Sequence, residues 1–202
     1  MKWERFADLA TEIVGTRPAR LGPVRLVAVD GPSGAGKSTF AGRLAVALST
    51  VGRTVAVVHT DDLLDGWADQ FTFWPRLAAG VLDPLARGEP GEYPVYDWDR
   101  GRFGERRRVP VPEVLVVEGG TSARAEAWPW LSFSVFVTAD REIRLARVLA
   151  RDGPAVEAPL RRWMAAEEEY FAVAGTAGRV DRLVDGVARV EDHPEDGYTR
   201  LR

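Results

Sequence analysis

The chain has 202 residues, 46% of them hydrophobic, and its 27 lysines and arginines against 30 aspartates and glutamates leave a net charge of -3. That suits one domain, or one domain with a small lid, over a substantial core, and it leaves no general electrostatic footprint for nucleic acid. There is no cysteine, which excludes disulfides and thiolate metal sites, and no apolar run long enough to span a bilayer or serve as a secretory signal, which points to the cytoplasm.

Residues 1–20 carry Trp3, Phe6, Leu9, Ala10, Ile13 and Val14 at helical spacing and stop near Gly15 and Pro18, which predicts an N-terminal helix packed on the core. Residues 24–30 read as a buried strand and residues 39–48 as an amphipathic helix. A second strand, 54–60, runs straight into Asp61 and Asp62. Residues 65–112 depart from simple β–α alternation and are rich in aromatics, proline and glycine; the aromatics read as core or as a substrate pocket. A third buried strand, 114–117, ends at Glu118-Gly119-Gly120, a fourth covers 132–137, and a short fifth lies at 182–184. A polar tail, expected to be partly mobile, occupies 191–202. Near-continuous aliphatic runs separated by helical segments predict a doubly wound α/β domain over 21–190 with a parallel sheet covered on both faces. Ligands of such folds bind outside the carboxyl ends of the strands.

Between the first of these strands and its helix stands Gly31-Pro32-Ser33-Gly34-Ala35-Gly36-Lys37-Ser38, a full match to G-x-x-x-x-G-K-[ST] in the strand–loop–helix setting that a phosphate-binding loop needs. Its glycines let the backbone wrap a phosphate closely, its N–H groups converge on the phosphate oxygens, and the following helix, entered through Thr39, adds the positive end of its dipole. The implied ligand is ATP. Lys37 would reach its β- and γ-phosphates and Ser38 would hold Mg²⁺.

Phosphoryl transfer to a hydroxyl needs a carboxylate beside the acceptor. Asp61, at the end of the second strand, is the first candidate for that base; Asp62 is its alternative, one of the two capping the turn. Glu118 closes its strand where such proteins keep a metal-holding carboxylate, although a turn carboxylate would read the same way. Arg144, Arg147 and Arg151 share one helix face. Arg147 and Arg151 are taken as lid arginines that neutralise the transferred group, and Arg161 and Arg162 follow in a short lid over 151–163. The only histidines, His59 and His193, lack partners at metal-ligand spacing.

The loop, the strand ending in Asp61, Pro94-Val95-Tyr96-Asp97-Trp98, Val116-Val117-Glu118-Gly119 and Arg144-Leu145-Ala146-Arg147 with Arg151-Asp152 occur in the order and approximate spacing of the uridine kinase and phosphoribulokinase family. The chain resembles that family over residues 24–187. The resemblance implies a P-loop kinase fold, the base at Asp61, the metal carboxylate at Glu118, phosphate contacts from Arg147 and Arg151, a substrate pocket formed partly by Tyr96, and Asp69 on ribose hydroxyls. Uridine kinases follow the Tyr-Asp pair with a base-reading histidine, whereas Trp98-Asp99-Arg100-Gly101-Arg102 has none, which leaves the base open. Arg100 and Arg102 are candidate substrate contacts, while the run 102–108 reads equally as an exposed hairpin.

The leading expectation is a kinase for a small-molecule hydroxyl, foremost the 5′-hydroxyl of uridine or cytidine, with pantothenate or a sugar as other acceptors. The second is a regulatory P-loop ATPase. Neither involves nucleic acid or membrane, and both are compatible with a homo-oligomer.

Overall fold

The computed structural model of the chain describes residues 1–187 and 196–202. Among them, seven strands form one sheet in the order β1-β9-β8-β7-β2-β6-β3. Its centre is β2 (Arg25–Asp30), flanked by β6 (Val114–Glu118) and β7 (Leu131–Thr138), with β3 (Val55–His59) beyond β6 and β8 (Arg182–Asp185) beyond β7. These five strands pair in parallel, and their aliphatic runs are buried because helices cover both faces. On one face α1 (Phe6–Thr16) and α2 (Lys37–Thr50) set Phe6, Leu9, Ile13, Phe40, Leu44 and Leu48 against Val27, Val29, Val116 and Val135. On the other, Phe73, Leu77, Val81, Leu82 and Leu85 pack on Leu26, Leu115 and Val117. Phe73 precedes, and the others come from, a continuous helical stretch made of α3 (Trp74–Leu77), a π turn (Ala78–Leu82) and α4 (Asp83–Ala86). The basic run 102–108 lies in a two-stranded hairpin, β4 (Gly91–Asp97) with β5 (Arg102–Val109). No helix among the described residues is long and apolar enough to cross a membrane.

Two expectations change. Residues 2–5 are not helical: they form β1 (Lys2–Arg5), which pairs antiparallel with β9 (Gly197–Arg200), and β9 pairs antiparallel with β8. The tail therefore carries a strand at 197–200, held between β1 at the sheet's edge and β8; its residues 191–195, and His193 with them, lie outside the described residues. A ladder between residues so far apart in sequence overrides the helical spacing of Trp3, while Phe6 opens α1.

Strand order places the site. Val29 is in register with Glu118, and Glu118 with His59, so the carboxyl ends of β2, β6 and β3 stand side by side. The glycine-rich loop, Glu118 and the Asp61-Asp62 pair leave the sheet on one edge. Beside that edge, α5 (Arg141–Asp152) and α6 (Glu157–Ala174) pair through Leu145, Val148, Leu160 and Met164, joined by Gly153 and a single 3-10 turn, Pro154–Val156. This short junction falls within residues 151–163.

Candidate active site

The loop from Gly31 to Ser38 wraps tightly against its neighbours. Gly31 has φ +136°, and a Cβ there would lie 2.1 Å from the Val137 carbonyl oxygen; a Cβ on Gly34, at φ +76°, would lie 2.4 Å from the Arg144 carbonyl oxygen. Only glycine fits either place. Ala35 is buried behind the loop, Gly36 caps α2 in the left-handed region, and Ser38 and Thr39 stand open to solvent on its first turn. That turn leaves N–H groups without intrahelical acceptors, and with the helix dipole they suit an anion. Lys37 folds back, its Nζ donating to the Pro32 carbonyl at 3.0 Å.

A buried carboxylate holds the loop's entry. Asp30 is fully enclosed, and it accepts from the N–H of Gly31 (2.6 Å), Thr121 (2.7 Å) and Ala123 (2.9 Å). It thereby ties the phosphate loop to the turn after β6, where Thr121 is held at φ +65°. Burial pushes the Asp30 carboxyl up to about 6, against the three N–H groups and Lys37, which pull it down. A folded-state value above the unfolded one means that this group favours folding most below about pH 4, and that the contribution is lost as pH rises through 6. At neutral pH the anion is carried by its three donors. Asp30→Ala strands all three buried N–H groups, and urea unfolding is expected to show a loss of about 3–5 kcal/mol; a loss below 1 kcal/mol would contradict this role.

Glu118 is 4% exposed at the end of β6. Its Oε1 accepts from Ser38 Oγ at 3.1 Å and lies 3.6 Å from His59 Nδ1, while its buried Oε2 has no partner. Burial alone would raise the Glu118 carboxyl, but His59, Lys37 and Ser38 together hold it below the usual glutamate value. The His59 imidazole is shifted upward by its contact with Glu118, against burial, with Asp61 and Asp62 adding to the rise. His59, the last residue of β3, is thus a neighbour of Glu118. A hydroxyl and a carboxylate with a free, buried oxygen are a donor set that fits Mg²⁺. Among the described residues no three histidine, cysteine, aspartate or glutamate side chains form a self-contained metal cage.

The two adjacent aspartates separate. Asp61 is exposed, yet loss of hydration raises its carboxyl; Lys37 and Arg151 oppose the rise, and Glu118 and Glu167 add to it. Asp62 turns the other way, accepting from Tyr93 Oη (3.1 Å) and pairing with Arg107 (2.6 Å), so it anchors the hairpin. Burial and the Asp62 charge push the Tyr93 phenol up to about 12. Asp69 is buried, and its carboxylate is used within its own loop by the Asp65 N–H, Thr72 and Arg76; the structure does not bring it to the cleft. Tyr96 sits among Trp98 (5.1 Å) and Phe103 (5.3 Å), ring centre to ring centre, and Arg102 is exposed at the start of β5, opposite Asp97.

The arginines divide as well. Arg147 lies on the loop's flank, Nη1 donating to the carbonyls of Gly34 (3.3 Å) and Gly186 (3.0 Å). Arg151 pairs with Asp152 at the end of α5 and senses the charges of Asp61 and Glu118. Arg161 pairs with Glu157, and Arg162 is exposed. Arg144 is buried, its guanidinium held by the Ala139 carbonyl and Glu168. Two features escaped the sequence. One is Glu167 on α6, which closes the cleft with Thr60, Asp61, Gln70 and Trp163. The other is a cavity of about 320 Å³ beyond Gly36 and Thr39, walled by Phe40, Arg147, Gly186 and Tyr198.

No protein-family model matches the chain, and no curated protein matches it either. Solved structures do. A possible uridine kinase from Bacillus stearothermophilus matches at TM-score 0.67 and 21% identity over 89% of this chain and 96% of that one. A candidate fructose transport system kinase from Silicibacter sp. TM1040 matches at 0.62 and 22%, over 85% and 95%. A D-glycerate 3-kinase from Cryptococcus neoformans matches at 0.51 and 14%, over 92% and 90%. The chain has the α/β fold of the P-loop kinases.

Proposed function

We propose that the protein is an ATP-dependent kinase that transfers the γ-phosphoryl group to the hydroxyl of a small molecule, and that this acceptor is the 5′-hydroxyl of a nucleoside. The observation that carries the reading is the placement of Asp61: an upward-shifted carboxyl at the cleft mouth, within the field of Lys37, beside a wall of Trp67, Trp98, Tyr96 and Trp163. Indoles and a phenol grouped beside Asp61, two of the indoles exposed, favour stacking of a planar ring over binding of a flexible chain.

The loop from Ser33 to Thr39 would hold the triphosphate, and the 320 Å³ cavity beside it would take the nucleoside end. Ser38 and Glu118 would hold Mg²⁺, which would supply neutralisation of the phosphate charge. Lys37 exchanges the Pro32 carbonyl for phosphate oxygens. Asp61 orients the acceptor hydroxyl and takes its proton as the oxygen bonds to the γ-phosphorus and the bond to the β-phosphate oxygen breaks. Arg147 steadies the loop from its flank, and Arg151, at the lid, offsets the charge spread over the transferred group.

Purified protein incubated with Mg²⁺-ATP and a panel of nucleosides, pantothenate, sugars and glycerate should yield uridine or cytidine monophosphate, detected by mass spectrometry as one added phosphate. A phosphorylated sugar, pantothenate or glycerate instead would move the acceptor and keep the kinase. ATP bound without any phosphorylated product would favour a regulatory ATPase.

A further inference from the structure

Glu167 is 2% exposed and lies on the apolar stripe of α6 with Leu160 and Met164. Both of its carboxylate oxygens lie 3.0 Å from the Ser33 N–H, and Oε1 also accepts from the Ser33 hydroxyl at 2.7 Å and from the Trp163 indole N–H at 2.9 Å. From the other side, Arg144 Nη1 donates to the Ser33 carbonyl at 3.4 Å and stands 3.9 Å from Glu167 Oε2. One residue of the phosphate loop is therefore gripped at its N–H, hydroxyl and carbonyl by two buried, opposite charges.

This is an expensive arrangement for stability alone. Apolar side chains of similar volume are often neutral or stabilising in place of a buried ion pair, and a carboxylate beside an anion site weakens anion binding. What Glu167 gains is a connection. Trp163 meets Trp67 at 5.6 Å, Trp67 meets Trp98 at 5.6 Å, and the Trp98 indole N–H donates to the Asp61 carbonyl at 3.3 Å. Gln70 adds a hydrogen bond to the Trp163 carbonyl at 3.1 Å. A continuous set of contacts thus runs from the phosphate loop through α6 and the aromatic wall to the backbone of Asp61.

We infer that Glu167 is a positioning residue that transmits occupancy of the phosphate loop to the aromatic wall through the Trp163 indole. A triphosphate that shifts Ser33 shifts Trp163, and by thermodynamic reciprocity whatever orders the wall tightens the loop. The inference rests on the proposed function in placing ATP in this loop. Spatial continuity alone does not establish coupling, so the test reads transmission directly.

The full chain is titrated with Mg²⁺-ATP while tryptophan emission is followed, and calorimetry gives the ATP affinity in parallel. In the wild type, ATP binding is expected to change the emission. In Trp163→Phe and in the isosteric Glu167→Gln the emission change should fall by at least half while ATP still binds. Arg141→Ala, which breaks only the neighbouring 2.9 Å pair with Glu168, should respond like the wild type. A wild-type-sized response in Glu167→Gln, or ATP binding by the wild type with no change in emission, overturns the inference and leaves the kinase reading standing. No ATP binding by the wild type overturns both.

Discussion

Asp61→Asn is expected to lower turnover by about 10²–10⁴-fold, the range for losing a positioned general base, with ATP affinity nearly unchanged. Asparagine keeps the size and shape of the side chain and can still accept one hydrogen bond from the acceptor, but it cannot take a proton. The cleft gives this prediction a second signature. Loss of hydration raises the Asp61 carboxyl above its ordinary value, outweighing Lys37. A base must be ionised to work, so kcat/KM of the wild type should fall as the pH drops through that raised value, above the usual aspartate pKa of about 4. The residual activity of Asp61→Asn should lack that acid limb. Should Asp62→Asn lose the turnover while Asp61→Asn keeps it, the base is the aspartate that holds Tyr93 and Arg107, and the assignment moves by one residue.

Lys37→Ala is the second large effect. The Nζ donates within its own loop, to the Pro32 carbonyl, so little of the fold depends on it and the unfolding midpoint should scarcely move. On the proposed reading its loss removes a cation from the β- and γ-phosphates, and kcat/KM for ATP should drop by about 10²–10³-fold, the scale for removing one such group from a transition state. A coupled assay that finds Lys37→Ala as active as the wild type would remove the phosphate loop from the mechanism.

The parts of this site that could be read in the chain are those written locally. A strand, a glycine-rich loop and a helix follow one another within some 25 residues, and Glu118 closes an aliphatic run, so spacing alone set them in place. The parts that could not be read depend on distant partners. Ser33 and Glu167 are 134 positions apart, and Asp30 reaches Thr121 and Ala123 across 91 and 93. Glu167 did leave a trace: with Leu160 and Met164 it falls at the helical spacing of a buried stripe, and a carboxylate there calls for a partner. Asp62 and Asp69 show the opposite difficulty. A carboxylate after a strand or in an aromatic loop reads as a substrate contact, but nothing local says that Arg107 and Arg76 will fold onto it. The residues 2–5 show the same blindness, since their strand exists only against β9.

That pairing of β1 with β9 has a kinetic consequence. Lys2 is in register with Arg200 and Arg5 with Gly197, so this ladder closes the largest loop in the molecule, and Gly197 and Tyr198 also line the cavity beside Thr39. Contacts between residues so distant repay their entropy only after the intervening chain has collapsed. The wall of that cavity formed by Gly197 and Tyr198 is therefore expected to be set late in folding, which residue-by-residue folding kinetics of β1 and β9 variants would show.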